Sequence, residues 1–164
     1  MYFISHRGNI EGPNIEKENS PNYVNNALLL GFDVEIDVWY CNSNFFLGHD
    51  KPSYKISESY LENKLLWCHA KNFEALDMMM KNRKITCFWH QEDDFTITSN
   101  GHIWAYPSNK NIQKFNCIDV MPERHCKIEN YNVLTLGVCS DYIKIIRGNH
   151  AKKSIFCAHT QNSR

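Results

Sequence analysis

"FDVEIDVWYCNSNFFLGHD", residues 32–50, sets the problem of this chain. The apolar residues Val34, Ile36 and Val38 alternate with Asp33, Glu35 and Asp37. Alternation at period two is the signature of a β-strand, and it turns the three acids to one face. Carboxylates crowded together are costly unless a cation or a set of donors compensates them. A Gly-His-Asp follows at 48–50. The stretch therefore reads as a strand, then a short extended return, with chemistry concentrated at the strand's end.

Working outward, the same plan recurs. Residues 2–5 read as a strand ending at His6-Arg7-Gly8. Residues 20–31 read as a helix, with Ser20 as its cap, Pro21 at its first position and Gly31 as its stop. Further strands are expected at 65–71, 85–93, 102–108, 115–123 and 136–143, and helices at 57–64 and 72–83. The tail from Lys144 is basic and polar. Strand and helix alternate, and polar residues gather at strand C-terminal ends, which is the pattern of an α/β protein with a parallel sheet. Six to eight strands suggest a (β/α) TIM-type barrel. Such a barrel usually needs roughly 250 residues, with about 200 as a floor. At 164 residues, several outer helices must be shortened or missing. An open doubly wound sheet is the alternative, but no glycine-rich nucleotide loop is present. One domain spans 1–164, with 148–164 a candidate to lie outside the barrel.

Composition excludes several functions. Eighteen basic and eighteen acidic residues leave no net charge, so no basic excess calls for nucleic acid or an anionic membrane. No apolar run approaches the ~20 residues of a membrane span. The N-terminus lacks the basic-then-apolar plan of a signal peptide, and a cytoplasmic location is expected. Seven cysteines, an odd number with no CxxC, read as reduced thiols, and their spacing to histidines matches no common zinc pattern. Truncated outer helices would leave apolar faces for a second subunit, so a homo-oligomer is expected.

In a barrel all strand C-terminal ends meet at one mouth. The ends here carry His6 and Arg7, Glu35 and Asp37, His49 and Asp50, His69 and Lys71, His90 with Glu92 and Asp93, Trp104, and Asp141. Histidines, acids, an arginine and a lysine together fit phosphate-ester chemistry. The acids hold a divalent metal through oxygen. Arg and Lys neutralise phosphate, and the histidines supply acid and base. Asp33, nearer the strand start, is expected to pair locally.

These residues carry a resemblance. "SHRGN", "KENS", "GFDVEIDVWY" and "LGHDKP" fall in the order of the motifs of the glycerophosphodiester phosphodiesterase family. Beyond residue 52, "WCHAK", "IWAYPSN" and "LGVCSDYI" resemble that family's later strands more loosely. The resemblance implies a reduced member of that barrel fold that cleaves phosphodiesters. His6 and His49 would be the acid/base pair. Arg7 and Lys71 would contact phosphate, and Trp104 would wall the substrate pocket. Glu35 and Asp37 would bind Mg²⁺ or Ca²⁺, with Glu18 beside the metal or orienting Arg7. The family's third carboxylate falls at His69, so either His69 itself completes the set, which makes Mn²⁺ a candidate, or Glu92 does from the next strand, or His69 contacts substrate instead. The segment after Gly-His-Asp is short, which implies a shallow mouth and a phosphodiester on a lipid or glycan. A cyclising phosphodiester lyase and a non-catalytic phospho-ligand-binding barrel are the alternatives.

Overall fold

The computed structural model describes residues 1–106 and 116–161, with side chains through Lys152. Ten strands form one curled, mixed sheet that makes a half-barrel, flanked by four α-helices among the described residues. The strands are β1 (Tyr2–His6), β2 (Asp33–Cys41), β3 (Asn44–Leu47), β4 (Tyr54–Ile56), β5 (Leu66–Ala70), β6 (Cys87–Phe88), β7 (Phe95–Ile97), β8 (Ile103–Ala105), β9 (Cys117–Val120) and β10 (Gly137–Ser140). The helices are α1 (Pro21–Leu29), α2 (Glu58–Leu61), α3 (Phe73–Lys81) and α4 (Ile143–Gln161). Seven strands run parallel in the order β6-β5-β2-β1-β10-β9-β8. β3 and β4 fold back antiparallel on the far half of β2, and β7 lies antiparallel on β8.

Two apolar clusters follow from the alternation of side chains across each strand. Val34, Ile36 and Val38 of β2 join Val24 and Ala27 of α1 and Ala75 and Met79 of α3 in the core between sheet and helices. Ile4, Trp67, Phe88, Trp104, Ile118, Val120 and Cys139 fill the concave side. Asp33, Glu35 and Asp37 share that side. Trp67 donates its indole N–H to Asp33 at 3.0 Å, so the first acid pairs with a neighbouring strand below the site.

The observed elements match the predicted α/β alternation, with corrections at their edges. The expected strand 85–93 holds ladder pairing only at Cys87–Phe88, because the polar run His90–Asp94 leaves the sheet. The helix expected over 57–64 is a single turn, Glu58–Leu61. β4 and β7 are three-residue strands with no alternation long enough to reveal them. The basic, polar tail, for which the sequence suggested no structure, is helical from Ile143 to Gln161 as α4. Its buried Ile143 and Ile146 dock on the sheet, and the Arg147 guanidinium sits 3.7 Å over the Phe32 ring while donating to the carbonyls of Leu30 and Gly31. Those donors satisfy carbonyls left open at the end of α1. Residues 107 and 108 of the expected strand 102–108, residue 115 of the next, and 162–164 of the tail lie outside the described residues. Cys68, Cys87 and Cys139 are buried free thiols, and Cys117 is buried as well. Among the described residues no helix is long and apolar enough to cross a membrane.

Candidate active site

Local backbone geometry builds the site at the C-terminal ends of β1 and β2. After His6 the chain reverses through Arg7 (φ 54°) and Gly8 (φ 93°), both left-handed. Such a conformation is unusual for arginine and must be held by its surroundings. The Arg7 N–H donates to the Glu35 carbonyl at 2.9 Å, and the Asn19 N–H donates to the Arg7 carbonyl at 3.1 Å. A Cβ on Gly8 would stand 2.7 Å from the Tyr23 ring, so only glycine fits the turn. Asn19 grips β2 from the other side. Its amide donates to Asp37 Oδ2 at 2.9 Å and its carbonyl oxygen accepts the Asp37 N–H at 2.8 Å.

Asp37 is fully buried and is the electrostatic hub. Arg7 Nε lies 2.9 Å from Oδ2, although the N–H does not align as a hydrogen bond. His69 Nδ1 and Lys71 Nζ lie 3.1 and 3.4 Å from Oδ1. Burial alone would raise the Asp37 carboxyl, but the His69 hydrogen bond and the Arg7, His69 and Lys71 charges hold it far below the usual range. Glu35 is treated differently. It is 3% exposed, and its Oε2 has no hydrogen-bond partner. Burial, then the adjacent Asp37 charge, raises its carboxyl. Two acids on one strand face thus differ sharply: one is saturated, the other keeps an oxygen without a hydrogen bond.

His69 stands beside both, on β5, where the parallel register sets it opposite Asp37. Its Nε2 is 2.9 Å from the His90 carbonyl and can only donate there. Nδ1 is thereby left facing Asp37 and, at 3.8 Å, Glu35. Without a proton on Nδ1, its lone pair would point at two carboxylates, so this geometry calls for a cation, either that proton or a metal. Ligand atoms of Glu35, Asp37 and His69 all lie within 4.8 Å of one another. The backbone carbonyl that fixes the ring is the usual outer partner of a metal-binding histidine. The unpartnered Glu35 oxygen and the two-oxygen, one-nitrogen donor set fit a divalent cation.

His6 is oriented from behind. Asp141 Oδ1 is 2.7 Å from Nδ1, and the same oxygen accepts from Asn9 at 2.8 Å. Nε2 then faces Glu35 at 3.9 Å. Burial pushes the His6 imidazole down, but the Asp141 hydrogen bond and the Glu35 charge more than offset this and leave it raised. His49 is more exposed and has its own carboxylate, Asp50, 2.6 Å from Nδ1. Gly48 (φ 146°) precedes it, at a turn where a Cβ would strike the Lys51 carbonyl.

His6, Arg7, Glu35, His49, His69, Lys71 and Trp104 all line one cleft of about 420 Å³. That volume lies within the roughly 300–1,000 Å³ of small-molecule sites. Asp37 lies just behind this lining. Glu18 does not reach the carboxylate cluster; it accepts from Arg7 at 3.1 Å and from Asn9 at 2.8 Å. Glu92 is exposed and does not line the cleft. The chain matches no family model, no curated protein and no solved structure. The site must therefore be read from its own geometry. Asn9, Asn19 and Asp141 lie inside the motifs SHRGN, KENS and LGVCSDYI, but sequence reasoning gave neither asparagine a role and placed Asp141 only at a strand end. The Asn9 and Asn19 amides resemble any loop asparagine until the turn is folded.

Proposed function

We propose that the chain is a metal-dependent phosphodiesterase that cleaves glycerophosphodiester-like substrates by histidine acid–base catalysis. One observation carries this reading: two carboxylate-backed histidines share a cleft with Arg7, Lys71 and the Glu35–Asp37–His69 cluster. The half-barrel is read as a reduced (β/α) barrel, in which Phe88 of β6 and Trp104 of β8, with ring centroids 4.6 Å apart, meet across the unladdered gap.

Glu35, Asp37 and His69 would hold a divalent cation, which when bound lends positive charge to a phosphoryl oxygen. The imidazole donor favours Mn²⁺ over the Mg²⁺ or Ca²⁺ that an all-oxygen site would take. Arg7 and Lys71 place further positive charge beside the phosphate. In the reaction a phosphorus–oxygen bond to a hydroxyl or water forms as the bond to the leaving alcohol breaks. One imidazole of the His6 and His49 pair takes the attacking oxygen's proton, and the other delivers a proton to the departing oxygen. Asp141 and Asp50 fix the two rings so that the nitrogen opposite each carboxylate is free for this exchange.

The test is hydrolysis of bis(p-nitrophenyl) phosphate with Mn²⁺, Mg²⁺, Ca²⁺ or EDTA, followed by phosphorus NMR of products from glycerophosphodiesters. Metal-dependent release of nitrophenol, lost in both His6→Ala and His49→Ala, is expected. A cyclic phosphate product would assign the attack to a substrate hydroxyl, and a monoester would assign it to water. Unchanged turnover in His6→Ala would refute the reading.

A further inference from the structure

Arg124 has no role in the chemistry above, yet its position is built with care. It ends the 3-10 turn Pro122–Arg124 that leaves β9. Met121, just before the turn, is left-handed at φ 55°. The turn is tied down by Glu123, whose two carboxylate oxygens accept the Ser140 hydroxyl at 3.0 and 2.9 Å and, through Oε1, the Asp141 N–H at 2.9 Å. Asp141 is the residue that orients His6. The turn carrying Arg124 is therefore anchored to the strand end that carries the acid–base network. With Glu123 turned inward, Arg124 is turned to the cleft, which it lines while exposed to solvent. Its guanidinium sits 5.2 Å from the Tyr106 ring centroid, and Tyr106 in turn meets His90 edge to face at 5.4 Å.

No carboxylate side chain answers Arg124. It makes no ion pair among the described residues. Residues 107–115 and 153–164 contain no aspartate or glutamate. Arg7 and Lys71, by contrast, are both held by carboxylates, Arg7 by Glu18 and Asp37 and Lys71 by Asp37. Arg124 stands apart from them at the rim of the same cleft, with the Tyr106 ring beside its guanidinium.

We propose that Arg124 binds a second anionic group, a phosphate or carboxylate carried by the substrate beyond the scissile phosphodiester. The proposal rests on the phosphodiesterase reading. Arg124 is a specificity residue: it selects doubly charged substrates and does not touch the reacting phosphorus. A guanidinium with no carboxylate partner presents its N–H groups as a planar fork suited to a phosphate.

The probe is a series of α,ω-alkanediol bisphosphates with two to six carbons, each compared with the alkyl monophosphate of equal length. Binding to wild type, Arg124→Gln and Arg124→Lys is measured by calorimetry with Mn²⁺ present. Wild type should bind at least one bisphosphate tenfold or more tighter than its monophosphate partner. In Arg124→Gln the ratio should fall to about one, and Arg124→Lys should restore part of it. Monophosphate binding with no bisphosphate preference at any length would overturn this proposal alone. A preference that survives in Arg124→Gln would also overturn it. Binding of neither class would overturn the phosphodiesterase reading and this inference with it.

Discussion

Replacing Glu35 with glutamine separates a metal site from a structural ion cluster, because the two predict opposite signs. Glu35 is buried, accepts no hydrogen bond at Oε2, and has a ligand oxygen within 4.8 Å of one on Asp37. Two unit charges at that distance repel by about 3 kcal/mol at an effective dielectric constant of about 20. The His6, Arg7 and His69 charges offset part of this, but burial adds to it, and the charged carboxylate stays at a net cost in the metal-free protein. Glutamine removes the charge and keeps the shape. Glu35→Gln should therefore melt higher than wild type in EDTA at pH 8, by about 2–4 °C per kcal/mol for a domain of this size. Added Mn²⁺ should reverse the order. Metal at a hundred times its dissociation constant stabilises wild type by about 2.7 kcal/mol, and the variant should gain almost nothing. Thermal unfolding of both proteins with EDTA and with Mn²⁺ gives all four values. If Glu35→Gln melts lower than wild type in EDTA, Glu35 is a structural partner and the reasoning fails. It fails equally if the variant keeps the full Mn²⁺ shift.

Three further predictions follow from the same network. Asp141→Asn should fold but lower phosphodiester turnover about 10²-fold or more, because His6 loses the carboxylate that fixes its ring; turnover within threefold of wild type would remove Asp141 from the mechanism. Gly8→Ala should lower stability by about 1–3 kcal/mol in urea unfolding, since φ is 93° and the new methyl would stand 2.7 Å from Tyr23; a neutral result would mean that the turn is not held as described. The His6–Asp141 pair should stabilise the metal-free protein most between about pH 4 and 6.5. His6 is raised on folding, so its contribution is complete below its unfolded value and is lost as pH rises through the folded one. Asp141 is lowered, so its contribution is present above its unfolded value and is lost as pH falls through the folded one. The stability gap between wild type and His6→Gln in EDTA should thus narrow from pH 6 to pH 9; a gap that widens would contradict the pairing.

The division between what was legible in the chain and what was not is physical. Period-two alternation in 33–38 places Glu35 and Asp37 on one face with no knowledge of neighbours, and strand polarity places His6 and His69 at the same end of the sheet. The Asn72 cap of α3, its side chain accepting the Ala75 N–H at 3.2 Å, was equally local. Pairing across sequence distance was not. Asp141 and Asn9 meet 132 residues apart, and only the β1–β10 ladder brings them together. Asn19 looks like a turn residue, and its grip on Asp37 depends on the left-handed Asn19 and Arg7 backbones. Helix α4 escaped notice because its sequence is polar, and its docking rests on a few residues such as Ile143, Ile146 and Arg147. Glu92, a candidate by its place at the end of the expected strand 85–93, lies in a polar segment that leaves the sheet after Phe88.

The most direct test of the central claim is a co-titration of metal-stripped protein with Mn²⁺, reading bound metal by its paramagnetic signal and phosphodiester turnover in the same samples. Activity should be absent in EDTA, rise in proportion to bound metal and saturate at one ion per chain. Turnover that is full before any Mn²⁺ binds, or one bound ion per chain that Glu35→Gln leaves unchanged, would contradict it.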